Sequence, residues 1–166
     1  VESNGQHGIY LTDSTVDTVV SGNVINGNAQ NGIRVNTSLS YQNRWSANSI
    51  YNNLLGGINI ATGANNGILK PKIRTIEGRL VTGNANTPNA TVEIFTDELA
   101  QGRYFLGVIN ADAQGDFSLI IPASFVASNA VAIATDVQGN SSEFSDTFLV
   151  PDIDPAYLLF LPTVTR

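Results

Sequence analysis

Few side chains in this 166-residue sequence are of a kind that does chemistry, and their spacing limits what that chemistry is. Asp13 and Asp17 lie close together near the start, and paired carboxylates are what sugar-cleaving sites use as acid and base. His7 is the only histidine and there is no cysteine, so no second His or Cys is available to share a metal, and no thiolate site exists. No serine is singled out as a partner for His7, which leaves nucleophilic catalysis without a pair. In the turn Asp112-Ala113-Gln114-Gly115-Asp116, alternating oxygens and a glycine partly match a Ca²⁺ loop. The distal bidentate Glu is missing, so a structural turn is the better reading, and Ca²⁺ at Asp112 and Asp116 is the one cofactor suggested. Tyr10, Tyr41, Trp45 and Tyr51 are candidate sugar contacts, because aromatic faces stack on sugar rings. The alternative is that Trp45 packs against a loop or a neighbouring subunit. No enzyme is expected from these residues.

The elements that must position them are legible from a repeat. Gly8-Ile9, Gly32-Ile33 and Gly57-Ile58 recur at spacings of 24 and 25 residues, each opening a short alternation. Ser21-Gly22-Asn23-Val24-Ile25 returns as Ser46-Ala47-Asn48-Ser49-Ile50, and Asn28 returns as Asn53. A fixed period of this length with strand-like pieces and no helical pattern predicts one coil of a parallel β-helix per repeat. In that register Ile9, Ile33 and Ile58 stack inward, Leu11, Val35 and Ile60 stack next, and Tyr10, Arg34 and Asn59 point outward. Ile25 lies over Ile50, Asn23 over Asn48, and Val20 is the coil-mate of Trp45. The glycine of each Gly-Ile pair suits a corner with positive φ. Stacked asparagines bond along the axis and satisfy polar groups at the corners. One turn on from Asp13 and Asp17 stand Thr37 and about Tyr41, so no carboxylates stack.

The repeat supplies only about two and a half coils, and repeat units bury their apolar faces only by stacking on neighbours. Both mouths of such a stack expose aliphatic side chains and unpaired backbone. Ile9 and Leu11 at one mouth, with Ile60 and Ile68 at the other, are therefore candidate self-association faces. Missing upstream coils, the second domain or another molecule are the candidates to cover them. The chain starts at Val1 inside a repeat, which reads as a processed product or a piece of something longer.

Thirteen asparagines fall within residues 1–68 and six in the rest, marking a boundary at the linker 70–72, where both lysines flank Pro71. Residues 73–150 change grammar. Strand-like runs at Ile73–Val81, Thr91–Thr96, Arg103–Asn110, Phe117–Ile121, Val131–Thr135 and Glu143–Val150 alternate with turns such as Thr82-Gly83-Asn84. That spacing predicts an antiparallel β-sandwich. Residues 151–166 form a tail whose Tyr157, Leu158, Leu159, Phe160 and Leu161 make an apolar run between prolines. Such a run either closes its own sandwich or adds a strand to another molecule.

The first segment, through Asn48-Ser49-Ile50 and Asn53-Leu54-Leu55-Gly56-Gly57-Ile58, resembles the right-handed parallel β-helix repeats of pectate-lyase-like proteins. That resemblance implies a fold rather than an activity, since adhesins and phage tailspikes use the same coil. Thr91-Val92-Glu93-Ile94-Phe95 and Asp112-Ala113-Gln114-Gly115-Asp116-Phe117 resemble bacterial immunoglobulin-like modules of surface proteins.

A net charge of −6, with 8 basic against 14 acidic residues, offers no basic stripe for nucleic acid. No apolar run is long enough to span a bilayer. The expectation is an all-β extracellular or cell-surface protein: a short right-handed parallel β-helix, an Ig-like sandwich and an apolar C-terminal strand. It would serve as a self-associating structural subunit, a homo-oligomer or polymer forming a filament or sheath. The alternative is a carbohydrate-binding fragment of a larger adhesin or polysaccharide-active protein, with glycans as partners.

Overall fold

The computed structural model describes residues 1–121 and 129–150. The first coil carries β1 (Ile9–Leu11), β2 (Val19–Ser21) and β3 (Val24–Asn26). The second carries β4 (Asn31–Val35), β5 (Arg44–Ser46) and β6 (Ser49–Tyr51), and the third opens with β7 (Gly56–Ile60). β1, β4 and β7 form one parallel sheet, while β2–β5 and β3–β6 form parallel pairs, giving each coil three sides. The register follows the repeat. Ile9 pairs with Ile33 and Ile33 with Ile58, Leu11 with Val35 and Val35 with Ile60, Val20 with Trp45, and Ile25 with Ile50. Tyr10, Arg34 and Asn59 occupy the intervening register positions.

The Gly-Ile glycines serve a purpose other than the positive φ expected of them. None of Gly8, Gly32 and Gly57 is left-handed. A Cβ on Gly8 would sit 2.7 Å from the Gly32 carbonyl oxygen, and one on Gly32 would sit 2.6 Å from that of Gly57. Successive coils approach this closely only because no side chain intervenes. Above Gly57 the neighbour is the Phe144 ring, 2.6 Å from where a Cβ would lie. Phe144 thus stands where the next coil's backbone would run.

A short kinked turn over Ala64–Gly67, with Asn65 and Asn66 left-handed, ends the coil region. The sandwich follows with β8 (Lys72–Glu77), β9 (Leu80–Asn84), β10 (Thr91–Asp97), β11 (Tyr104–Asn110), β12 (Asp116–Ile120), β13 (Asn129–Thr135) and β14 (Phe148–Leu149). Its antiparallel sheets run in the orders β12-β9-β8 and β11-β10-β13-β14. Three expectations are corrected. The run Ile73–Val81 is a hairpin that turns at Gly78, left-handed at φ 58, and Gly83 lies within β9 rather than in a turn. A Cβ on Gly83 would strike the Phe117 ring at 2.3 Å, so a close approach and not a reversal calls for glycine there. The run Glu143–Val150 keeps only β14 as a strand. Before it, the Ser142 and Ser145 hydroxyls accept the Ala134 and Ala132 N–H groups in place of ladder carbonyls. The tail 151–166, with Tyr157–Leu161, lies outside the described residues.

β10 and β13 explain how the two parts join. Every residue of each strand beyond the first is buried, where a solvated sandwich face would alternate. Val92 and Ile94, opposite Ala134 and Ala132, enter the core between the two sheets with Ile76, Val81 and Phe117. Phe95, Val131 and Ile133 lie on the other face and share a second core with Trp45, Ile50, Ile58 and Phe144. The outer face of the four-stranded sheet therefore closes the C-terminal mouth of the β-helix. Residues 70–72 connect two bodies with one common core, with Pro71 buried and Lys72 already in β8.

Candidate functional site

The most constructed region of the molecule is this joint, built on asparagine ladders that rise through the coils. Asn4 donates its backbone and side-chain N–H groups to Asn28 Oδ1 at 3.1 and 2.9 Å, and Asn28 does the same to Asn53 Oδ1 at 3.2 and 2.7 Å. Asn23 repeats the bond on Asn48, and Thr18 N–H donates to Asn43 Oδ1. All these ladders have one polarity: each carboxamide oxygen accepts from the coil before it. A coil stack cut at its C-terminal end would leave the last donors buried and unpaired, at a cost of about 1–3 kcal/mol each.

The sandwich supplies the missing acceptors. Gln101 Oε1 takes both Asn53 donors at 3.1 Å, and its Nε2 returns a bond to Asn53 O at 3.0 Å. Glu93 Oε2 accepts Ala47 N–H at 2.7 Å, and its Oε1 accepts the Ser46 hydroxyl at 2.6 Å. Glu143 Oε1 accepts Ile60 N–H at 2.7 Å while its other oxygen pairs with Lys70 at 3.1 Å. Asn140 Oδ1 accepts Gln42 N–H at 2.6 Å, and Ser141 Oγ accepts Trp45 N–H at 3.2 Å. Ile50 and Gly102 exchange two backbone bonds as an antiparallel bridge. Gly102 is needed there, since a Cβ would meet the Phe144 ring at 2.6 Å.

The sequence-derived candidates fare unevenly against this arrangement. Trp45 is fully buried in the joint and donates its indole N–H to Ser142 O at 2.8 Å, so it presents no face to a sugar. The alternative puts Trp45 against a loop or a neighbouring subunit; here it packs against the sandwich of its own chain. The four aromatics are not brought together. Tyr10 is on β1, stacked on His7 with centroids 5.3 Å apart; Tyr41 pairs with Val16 at a corner; Tyr51 on β6 lies under the Arg103 guanidinium, 4.6 Å from its ring centre. Ile60 and Ile68 were expected at a free face. That mouth is occupied by the sandwich, and both are partly buried, with Ile60 packed against the shared core. Ile9 and Leu11 border the opposite mouth, where β1 has a partner on one side only.

Neither acidic candidate assembles a cation site. Asp112 Oδ1 accepts the N–H groups of Gln114 and Asp116 at 2.9 and 2.8 Å, closing its own turn. Asp116 Oδ1 is bound by Asn84 at 2.7 Å and by Arg74 at 2.8 Å, and these hold its carboxyl below the usual range, with the Asn84 amide the larger cause. Asp13 and Asp17 lie on exposed corners. No three His, Cys, Asp or Glu side chains cluster among the described residues. His7 Nδ1 accepts Asn31 N–H at 3.2 Å, a bond that requires the neutral ring; burial and then the Arg34 charge push its pKa down.

Glu93, Gln101, Glu143 and Phe144 were not singled out from sequence. The hydrogen-bond partners of the three polar residues lie 46 to 84 residues away, beyond any local pattern. One signal was present: Val131-Ala132-Ile133-Ala134 has no polar alternation, as a strand covered on both faces requires.

No curated protein matches the chain. The family model described as "Periplasmic copper-binding protein (NosD)" matches residues 1–106, which takes in every coil and the opening strands of the sandwich. With well over half its length matched on a parallel β-helix of this kind, the chain belongs to the NosD family.

Proposed function

We propose that the chain is a non-enzymatic architectural module of the periplasm or cell surface, a short β-helix terminated by its own sandwich. The observation that carries this reading is the hand-over of the ladders. Gln101, Glu93, Glu143 and Ser141 each accept a donor that a further coil would otherwise have taken. The family's periplasmic description supports the compartment, and no helix among the described residues is long and apolar enough to cross a membrane. Copper, which the family description names, does not fit this chain's donors. There is no cysteine and no methionine, and the single histidine spends Nδ1 on Asn31.

The sealed mouth narrows self-association. Copies do not stack through that mouth, so filament growth requires another contact such as strand addition by Tyr157–Leu161. A second reading, glycan binding, is favoured by Tyr10, half exposed and stacked on His7, with Arg34 as its neighbour one coil on. Calorimetry of the intact chain tests the main reading. One cooperative transition is expected because the two parts share a core. Two resolved transitions, or sustained turnover of a polysaccharide, would defeat it.

A further inference from the structure

Asn4, Asn26, Asn31 and Asn66 are each followed by glycine. That dipeptide has a chemistry of its own. The backbone nitrogen after an asparagine can attack the side-chain amide carbon, and glycine carries no side chain to shield that nitrogen. Attack needs a free carboxamide and a backbone able to swing, so the fold decides which pair reacts.

Three of the four are held. The Asn4 carboxamide donates to Asn28 Oδ1 at 2.9 Å, that of Asn26 to Glu2 Oε2 at 3.3 Å, and that of Asn31 to Leu55 O at 3.0 Å. Asn26 and Asn31 also lie in β3 and β4, in register with Tyr51 and Gly56. Asn66 differs on each count. It is exposed, and its carboxamide has no hydrogen-bond partner among the described residues. It sits at φ 57 and ψ 23 in the kinked turn, whose hydrogen bonds have poorer geometry than a ladder's and open more readily. Gly67 has nothing within 4 Å of where a Cβ would lie, so no neighbour blocks the swing.

The residue before it is the reverse. Asn65 is fully buried and bonds across the joint: its Oδ1 accepts Asn43 N–H at 3.0 Å, while its Nδ2 donates to Asn43 O at 2.6 Å and Ser141 O at 2.8 Å. A labile residue thus adjoins one of the contacts that hold the coils to the sandwich.

We propose that Asn66-Gly67 is a self-modification site whose reaction loosens the joint at Asn65. The Gly67 nitrogen bonds to Asn66 Cγ, the Cγ–Nδ2 bond breaks, and Nδ2 leaves as ammonia with the Gly67 amide proton. Water then opens the cyclic imide at either carbonyl, giving aspartate or isoaspartate. Isoaspartate adds a methylene to the main chain directly after Asn65, which has no slack to absorb it.

The test incubates the intact chain in mildly alkaline buffer, folded and in urea, and maps both by mass spectrometry with fragmentation that separates isoaspartate from aspartate. In urea all four pairs should convert. In the folded chain Asn66 should convert first, with the other three lagging. Asn66→Gln should abolish that first step, and Gly67→Ala should slow it. The isoaspartate form, purified by its added negative charge, should melt about 3 °C or more below the parent. Asn66→Asp, which has the charge without the methylene, should melt close to the parent. Folding that protects Asn66 as fully as the other three would overturn the proposal, and so would an isoaspartate form as stable as the parent. The mapping does not depend on the architectural reading, and a parent that melts in two steps faults that reading alone.

Discussion

Gln101 completes an asparagine ladder from another domain: across 48 residues of sequence its carboxamide meets Asn53 with three hydrogen bonds of 3.0 to 3.1 Å. A glutamine reaching in from a hairpin thus takes the place of the asparagine that a further coil would have supplied. Gln101→Ala leaves the buried Asn53 N–H unpaired, while Asn53 Nδ2 keeps Ile25 O and Tyr51 O and the Asn53 carbonyl keeps the Gly56 N–H. The expected loss is about 1–3 kcal/mol, read as a lower urea midpoint at unchanged m-value.

Gly32→Ala separates the two explanations of the Gly-Ile pairs. If positive φ were the requirement, strain would come from the backbone, yet Gly32 is not left-handed. The added methyl would lie 2.6 Å from the Gly57 carbonyl and 2.7 Å from Ile50 Cγ2, forcing coils apart. A loss of about 1–3 kcal/mol is expected. Gly67→Ala has open space around it and φ of 64, so its cost should come from the backbone alone, about 1 kcal/mol.

His7 makes stability pH-dependent in a stated direction. Its folded pKa lies below the ordinary 6.5, so the unfolded chain binds the proton more readily. Its contribution is complete above about pH 6.5 and is lost as pH falls through the folded value, when the Asn31 N–H bond breaks. Thermal midpoints between pH 8 and 5 should fall for the parent and fall less for His7→Gln. Because His7 is the only histidine, no other imidazole contributes.

Asp97 acts with the opposite sign. It is buried, its Oδ1 accepts Glu98 N–H at 2.8 Å, and its Oδ2 has no partner. Burial pushes its pKa above 3.8, against the smaller effects of the Glu98 and Leu99 N–H groups and Arg103. Folding therefore favours the protonated acid, and stability drops as pH rises through the folded value. Asp97→Asn should raise the urea midpoint at pH 7, a stability gain of about 1 kcal/mol, and lose that advantage near pH 3.

The division between what was and was not legible follows the range of the interactions. The Gly-Ile period places Ile33 between Ile9 and Ile58, and Asn28 on Asn53, because stacking one coil on the next maps a sequence repeat directly onto contacts. Trp45 shows where such reading stops. Its coil-mate Val20 was correct, but whether its face met sugar or protein depended on Ser141 and Ser142, 96 and 97 residues on. Composition and periodicity by themselves determined an all-β chain of parallel coils followed by antiparallel strands, since both periods are local and repeat. Only the tertiary structure decided that the sandwich turns its second face onto the coils and closes one mouth. That choice rests on Phe95, Val131, Phe144 and Gln101 meeting Trp45, Ile58 and Asn53, and contacts between non-repeating segments leave no period to read.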